Sequence, residues 1–475
     1  MQYPVSSKDE QIEGKAASAA RRFSMNRGVM DYKAQNRQAV IDYILKGAHE
    51  VCNKLGVEVE HFVVTDDGED VSYRGRDGRP GVADILEHLS QYYPERFCND
   101  EGDLLGLASE DGSITLEPAA QVEISIAPFA KVEDVLAAYQ RFRDRIDPFL
   151  TEHHMKLVHG GYHPTKKAFD LTLIPKRRYA FMDEYFTAIG TVGHRMMRAS
   201  ASTQVSVDFH DEADAVRKMR VANALAPILA VIADGTTVFE GEAIKRPIAR
   251  FDLWRQVDSL RCGVVPGLFD EGFGVGSYVD WILGTRPIFV TRPAADDPSS
   301  PALRADGGKV AASLYADAPM SKDDVEHVLS MFWPDVRLKR FVEIRPADSL
   351  PAGIMAGYTS LVKGLFYSKE SLAAIERVLG VKDGIWPTGK ADIDDAVESI
   401  FKDGFNARCY GYSLVAWIEL LFSLTAQVLA ADEANYLGEL HEYALHKNWG
   451  SIKDIDSEAE RTELTSKLGI PAFGN

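Results

Sequence analysis

Four short stretches of this chain alternate polar and apolar residues, and each gathers carboxylates, amides or basic groups on one side. Side chains of a β-strand point alternately to its two faces, so each stretch offers one face to a core and the other to something else. In Val57–Val64, Glu58 and Glu60 oppose Val57, Val59 and His61. In Gln121–Ile126, Gln121, Glu123 and Ser125 oppose Val122, Ile124 and Ile126, and Glu117 stands just before, across Pro118. In Ser202–Phe209, Ser202, Gln204, Ser206 and Asp208 oppose Thr203, Val205, Val207 and Phe209. Arg337–Arg345, read as one strand, sets Lys339, Glu343 and Arg345 against Leu338, Val342 and Ile344.

An antiparallel sheet with one wet face accounts for any one of these stretches. If the four are neighbours, Glu58, Glu60, Glu117, Glu123 and Glu343 crowd one surface. Like charges ~4 Å apart cost on the order of 4 kcal/mol at an effective dielectric near 20. Such a cluster needs protons or cations. Oxygen donors without Cys or His favour magnesium, with manganese as the alternative, over zinc. Two or three such ions beside Lys339 and Arg345 suit a triphosphate, whose oxygens metal ions bridge and an arginine fork binds. The chain has no G-x-x-x-x-G-K-[ST] loop, and Gly272, Gly274 and Gly276 lack the dinucleotide spacing.

The remaining pattern predicts a mixed α+β chain. Apolar residues at helical spacing from Asp31 to Leu55 predict a helix ended by Gly56. Further helices are expected at Asp84–Tyr93, Val132–Leu150, Tyr179–Phe186 and Glu212–Ala233, with another starting at the N-cap Ser321. Lys156–Tyr162 reads as a short strand, and the Pro-, Asp- and Ser-rich Thr291–Asp306 as a surface loop. Residues 1–27 read as a polar arm, 28–370 as one catalytic unit, and 371–475 as a helical part packed on it. The apolar run Leu414–Ala431 is broken by Glu419 and Gln427, so it predicts a buried helix rather than a membrane span.

A formal net charge of -18 argues against nucleic-acid or anionic-membrane partners. Cys52, Cys98, Cys262 and Cys409 form no C-x-x-C pair, so neither zinc nor a redox motif is indicated. Asp9, Glu10 and Glu13 in the arm argue against a transit peptide, and the cytoplasm is the expected location.

Six segments, in order over roughly residues 35–365, resemble the plant-type glutamate–cysteine ligase family. They are G-V-E-V-E-H-F at 56–62, I-T-L-E-P-A-A-Q-V-E-I-S at 114–125, I-P-K-R-R-Y at 174–179, M-M-R-A-S-A-S-T-Q-V-S-V-D-F at 196–209, F-D-L-W-R-Q-V-D-S-L-R-C-G at 251–263 and R-L-K-R-F-V-E-I-R-P-A-D at 337–348. The resemblance implies a glutamine synthetase-like fold, a curved antiparallel sheet forming a funnel with helices around it. It implies that ATP phosphorylates the side-chain carboxylate of glutamate and that the amine of cysteine displaces the phosphate, giving γ-glutamylcysteine for thiol synthesis. A carboxylate resists amine attack, so an enzyme of this kind must supply positioning and charge neutralisation.

The resemblance also implies roles. Glu58, Glu60, Glu117, Glu123 and Glu343 match metal ligands, joined by Gln204. Arg345 matches the arginine facing the transferred phosphoryl group, with Glu58 and Glu343 beside it in catalysis and Lys339 sharing the ATP. Arg250, Trp254 and Arg261, together with Arg178 and Tyr179, fall where the family holds its amino-acid substrates. Phe251 and Asp252 stand where the plant enzymes have Ser and His, and Cys262 replaces a Thr. These departures open an alternative, a sister carboxylate–amine ligase that takes a different amine. The cysteines do not match the plant regulatory disulfides, so no thiol switch is expected, and the sequence leaves the oligomeric state open.

Overall fold

In the computed structural model the described residues are 31–293, 303–305, 308–446, 454–471 and 473. The predicted arm 1–27 and most of the predicted loop after Thr291 lie outside them. The segments of alternating polarity do become neighbours. The main sheet holds β1 (Leu55–Thr65), β2 (Glu95–Cys98), β3 (Leu104–Ser109), β4 (Gly112–Leu116), β5 (Val122–Phe129), β6 (Met155–Val158) and β7 (Thr203–Val207). A two-stranded hairpin, Val336–Leu338 with Val342–Ile344, completes it. Across the sheet the order is hairpin, β7, β1, β5, β4, β3, β2, with β6 pairing the far end of β1. Every pairing in this sheet is antiparallel.

Helices cover the sheet, as the expected α+β class requires. Ahead of β7 in the chain come α1 (Lys33–Leu45), α2 (Val82–Leu89), α3 (Val132–Glu152), α4 (Arg177–Ile189) and α5 (Gly193–Ala199). After it come α6 (Glu212–Ile232), α7 (Ala249–Arg255), α8 (Val275–Leu283), α9 (Ala311–Leu314) and α10 (Lys322–Leu329). In α3 the buried residues Val132, Val135, Ala138, Tyr139, Phe142, Ile146 and Leu150 recur at three- and four-residue intervals, the spacing of one apolar helix face. In α10 the Ser321 hydroxyl accepts from the Asp324 N–H and the Asp324 carboxylate accepts from the Ser321 N–H, a reciprocal cap.

The last third is helical. It comprises α11 (Ala352–Phe366), α12 (Lys369–Val378), α13 (Lys390–Asp403), α14 (Leu414–Val428), α15 (Ala431–Ala434), α16 (Leu437–Leu445) and α17 (Asp454–Leu468). The apolar run expected to be a buried helix is α14, with twelve buried residues from Leu414 to Thr425. Among the described residues no helix is long and apolar enough to cross a membrane.

Two sequence expectations need correction. Helix α1 stops at Leu45 rather than Leu55. Gly47 packs so closely on the Arg340 carbonyl that a Cβ there would lie 2.0 Å from the oxygen. The chain turns at this contact, and Gly56, expected to end the helix, lies inside β1. Arg337–Arg345 is not one strand but the hairpin, which pairs Arg337 with Glu343 across its turn. The Lys339 N–H donates to the Phe341 carbonyl at 2.9 Å and closes that turn. A two-residue count along a single strand cannot reveal such a reversal.

Candidate active site

Sheet register brings the predicted acids together. Glu58 lies opposite Gln204 on β7 and Ser125 on β5, and Glu60 lies opposite Glu123. Glu117 follows β4 in a tight turn in which the Ala120 N–H donates to the Glu117 carbonyl at 3.0 Å. Gln121 supports that turn rather than facing the site, because its amide oxygen accepts from the Ala119 N–H and its NH2 donates to the Ser200 carbonyl.

These residues line a cavity of about 310 Å³, within the size range of small-molecule sites. Glu58, Glu60, Glu117, Glu123 and Gln204 border it on one side, with Lys176, Arg178, Arg337, Lys339 and Arg345 as its basic groups. Tyr179, Trp254, Trp333, Met182, Met196 and Met197 complete much of the wall.

The acids have different surroundings. Glu60 accepts from the Ser202 N–H and hydroxyl, both at 2.8 Å, and from the Gln204 NH2 at 3.1 Å. Glu123 accepts from the Thr115 hydroxyl at 2.7 Å and the Ser125 hydroxyl at 3.2 Å. Among the described residues no protein donor reaches the Glu58 or Glu117 carboxylate. Burial, then the neighbouring Glu123 and Glu343, push the Glu58 carboxyl up to about 8. Burial pushes Glu60, Glu117 and Glu123 upward as well, and repulsion from neighbouring carboxylates adds to it at Glu117 and Glu123. Deprotonating this set together requires an added positive charge.

Glu343 differs from the other four. Its side chain is fully buried, and it does not border the cavity. Its carboxylate accepts from Arg337 Nε at 2.6 Å and Nη2 at 3.0 Å, from Arg345 Nη1 at 2.9 Å and from Lys339 Nζ at 3.5 Å. Burial opposes its ionisation, but these three cations outweigh burial and hold the carboxyl well below the usual carboxylate range. Glu343 thus spends its oxygens on fixing the cations in this structure, close enough to Glu58 to raise that carboxyl. Gln204 bridges the two groups, donating to Glu60 while its amide oxygen accepts from Arg345.

The predicted substrate residues divide. Arg178 and Tyr179 reach the cavity from the start of α4, and Trp254 reaches it from α7. The Trp254 ring has the Arg345 guanidinium 5.4 Å from its centroid and that of Arg250 at 5.8 Å, close enough for cation–π attraction. Arg250 and Arg261 do not border the cavity. Arg250 is 2% exposed and donates to the Arg345 and Ala347 carbonyls. Arg261 is 1% exposed, pairs with Asp258 and donates to the Arg286 carbonyl. Both positions buttress the wall from behind. Phe251, Asp252 and Cys262, where the sequence departs from the plant pattern, are also absent from the lining.

Sequence reasoning passed over Arg337, Lys176 and the three methionines. Lys176 stands in the quoted I-P-K-R-R-Y segment and could have been found there. Arg337 opens the quoted segment at 337–348, and alternation sets it on the face of Lys339, Glu343 and Arg345, so it could have been found there too.

Among the described residues no three His, Cys, Asp or Glu side chains close into a ready-made metal site. The four cavity-lining glutamates nevertheless fit a hard divalent cation in donor chemistry. They are all-oxygen, mutually repelling, and include two carboxylates without a protein donor.

The fold and cavity define a class: an α+β chain whose antiparallel sheet sets clustered carboxylates against clustered cations around a small-molecule pocket. Residues 54–380 match the family described as glutamate-cysteine ligase family 2, and the chain belongs to that family. The chloroplastic glutamate–cysteine ligase of Arabidopsis thaliana is 30% identical over 345 residues, which is 71% of this chain and 64% of the relative. Chloroplastic glutamate–cysteine ligase B of Oryza sativa subsp. japonica is 28% identical over 346 residues, 71% of this chain and 68% of the relative. The chain thus spans about two thirds of the length of these relatives. A solved glutamate–cysteine ligase from Francisella tularensis, in complex with AMP, aligns at 12% identity over 89% of each chain with a TM-score of 0.49.

Proposed function

We propose that this protein joins the γ-carboxylate of glutamate to the amine of cysteine at the expense of ATP. The product is γ-glutamylcysteine, for glutathione or a related thiol. The observation that carries this reading is the meeting in one pocket of Glu58, Glu60, Glu117 and Glu123 with Lys176, Arg178, Arg337, Lys339 and Arg345. Family membership supplies the reaction to be accommodated.

In this reading the glutamate γ-carboxylate takes the terminal phosphoryl group and ADP leaves. The cysteine amine then attacks the acyl carbon, the C–N bond forms and phosphate departs. Glu58, Glu60, Glu117 and Glu123 would hold magnesium or manganese, which when bound neutralises phosphate charge. Arg345 and Lys339 face the transferred phosphoryl group, and Glu343 keeps both, with Arg337, in place by accepting their hydrogen bonds. Arg178, Tyr179 and Trp254 orient the amino-acid substrates, and Arg250 and Arg261 support that wall from behind. A cytoplasmic site of action belongs to the same reading, although the relatives are named chloroplastic.

Asp252 and Cys262 do not border the cavity, which removes the sequence motive for preferring another amine. The purified protein is expected to release ADP and phosphate only when glutamate, cysteine and magnesium are all supplied. Turnover that ignores cysteine and follows a different amine would replace this reading with the sister-ligase one.

A further inference from the structure

The family match ends at residue 380, yet a side chain beyond it is tied to the cavity wall. Arg255 ends α7, the helix that carries Trp254 into the cavity. One of its guanidinium nitrogens pairs with Asp335 at 2.7 Å, and the other pairs with Asp394 on α13. Asp335 directly precedes the hairpin strand that carries Arg337, and its backbone carbonyl accepts from the Arg345 N–H at 3.4 Å. Two side chains of this bridge are deeply placed, at 12% exposure for Arg255 and 3% for Asp335, while Asp394 is 40% exposed. A second contact joins the same two regions. The guanidinium of Arg246, just before α7, lies 4.9 Å from the ring centroid of Phe401, also on α13.

We infer that Asp394 is a positioning residue for the ligase site, holding α7 and the hairpin in register through Arg255. This inference rests on the functional reading above.

The physical reason is the fork geometry of arginine. A planar guanidinium held by two carboxylates in different directions has its orientation fixed, and so has the helix end that bears it. Loss of Asp394 leaves Arg255 on Asp335 alone, and α7 gains freedom to pivot about that contact. Trp254, one residue away, would then lose its fixed stance beside Arg345. Asp394 also pairs with Lys390 on its own helix, an exposed contact that contributes little. The Asp394–Arg255 link is therefore the part of this cluster with a consequence for the pocket.

The test compares Asp394→Asn and Asp394→Glu with the unaltered full chain. In Asp394→Asn, backbone hydrogen exchange over residues 249–257 is expected to quicken while that of 55–65 is unchanged. The KM for an amino-acid substrate is expected to rise about three- to thirtyfold, with the KM for ATP and the melting temperature near wild type. Asp394→Glu, which keeps the charge, is expected to restore most of the KM. A fall in melting temperature with unchanged KM values, or unchanged exchange over 249–257, would overturn the inference. If the wild-type chain shows no glutamate- and cysteine-dependent turnover, the functional reading fails by itself. The exchange comparison then decides the tether alone.

Discussion

Glu60 and Glu123 stand directly opposite each other across the β1–β5 pair, and both carboxylates face the same cavity. Like charges placed directly across a strand pair destabilise a sheet. Here each carboxylate is partly supported by hydroxyl, amide or backbone donors, but neither has an ion pair of its own among the described residues. The sheet holds the two in place because Val57, Val59, Val122 and Ile124 on its other face are buried in the core. The repulsion is retained for a cation to relieve.

That retention sets a pH dependence. Glu58 titrates near 4.5 when unperturbed and is pushed to about 8 in the fold. The folded chain therefore holds a proton that the unfolded chain has lost between these values, so this contribution to stability falls as pH rises through that window. Magnesium should cancel the loss. The rise in melting temperature on adding magnesium to chelator-treated protein is expected to be larger near pH 8.5 than near pH 5.5. An increment independent of pH would contradict the shared-charge picture.

Glu343 and Glu58 should behave oppositely when neutralised. Glu343→Gln strips a fully buried counter-charge from Arg337, Lys339 and Arg345, and is expected to cost about 3–5 kcal/mol of stability in denaturant titrations. Glu58→Gln removes one of the crowded charges. It should raise the melting temperature of the metal-free protein while lowering turnover on the order of a hundredfold. Equal destabilisation by both changes would argue that the two carboxylates share one role.

The family resemblance sets Arg261 among the substrate residues, but it lies behind the wall. Arg261→Met should lower stability by about 1.5–3 kcal/mol, since it deletes the ion pair with Asp258 and the charged hydrogen bond to the Arg286 carbonyl. The KM for the amino acids should move less than it does in Arg178→Met, because Arg178 borders the cavity. Steady-state kinetics on the two variants, at matched folded fraction, reads the difference.

Gly47 offers a test from outside the pocket. Any Cβ there meets the Arg340 backbone, and Arg340 follows Lys339 in the hairpin turn. Gly47→Ala is expected to cost about 1–3 kcal/mol through overpacking. It should also raise the KM for ATP, with little change in the KM for glutamate. Unchanged nucleotide affinity would show that the turn yields without moving Lys339.

Much of this arrangement is legible in the sequence. The two-residue alternation in Val57–Val64, Gln121–Ile126 and Ser202–Phe209 puts Glu58, Glu60, Glu123 and Gln204 on the cavity side, because strand geometry is local, while Gln121 is drawn into the turn that it supports. What could not be read is long-range. Helix α1 ends at a contact with Arg340, almost three hundred positions later in the chain, and Gly47 just past the cap is its one local mark. The hairpin within Arg337–Arg345 lacks a Gly or Asn at its turn, so the usual signal is missing. The strand reading likewise sets Glu343 among the crowded acids and gives no sign of the turn that aims three cations at it. Arg250 and Arg261 carry the right chemistry for a carboxylate fork, and only packing shows which arginine of a segment points outward.

The strand order has a kinetic consequence. Glu58 and Glu60 on β1 gain their neighbours from β5, β7 and the hairpin, all far along the chain, and β1 sits between them. Ordering such distant partners is slow, because loop closure costs entropy before the contacts repay it. No fragment that stops short of the hairpin contains Arg337, Lys339 or Arg345, the cations that face the acids. During refolding, turnover should therefore reappear only in the slowest phase, after most helical signal has returned.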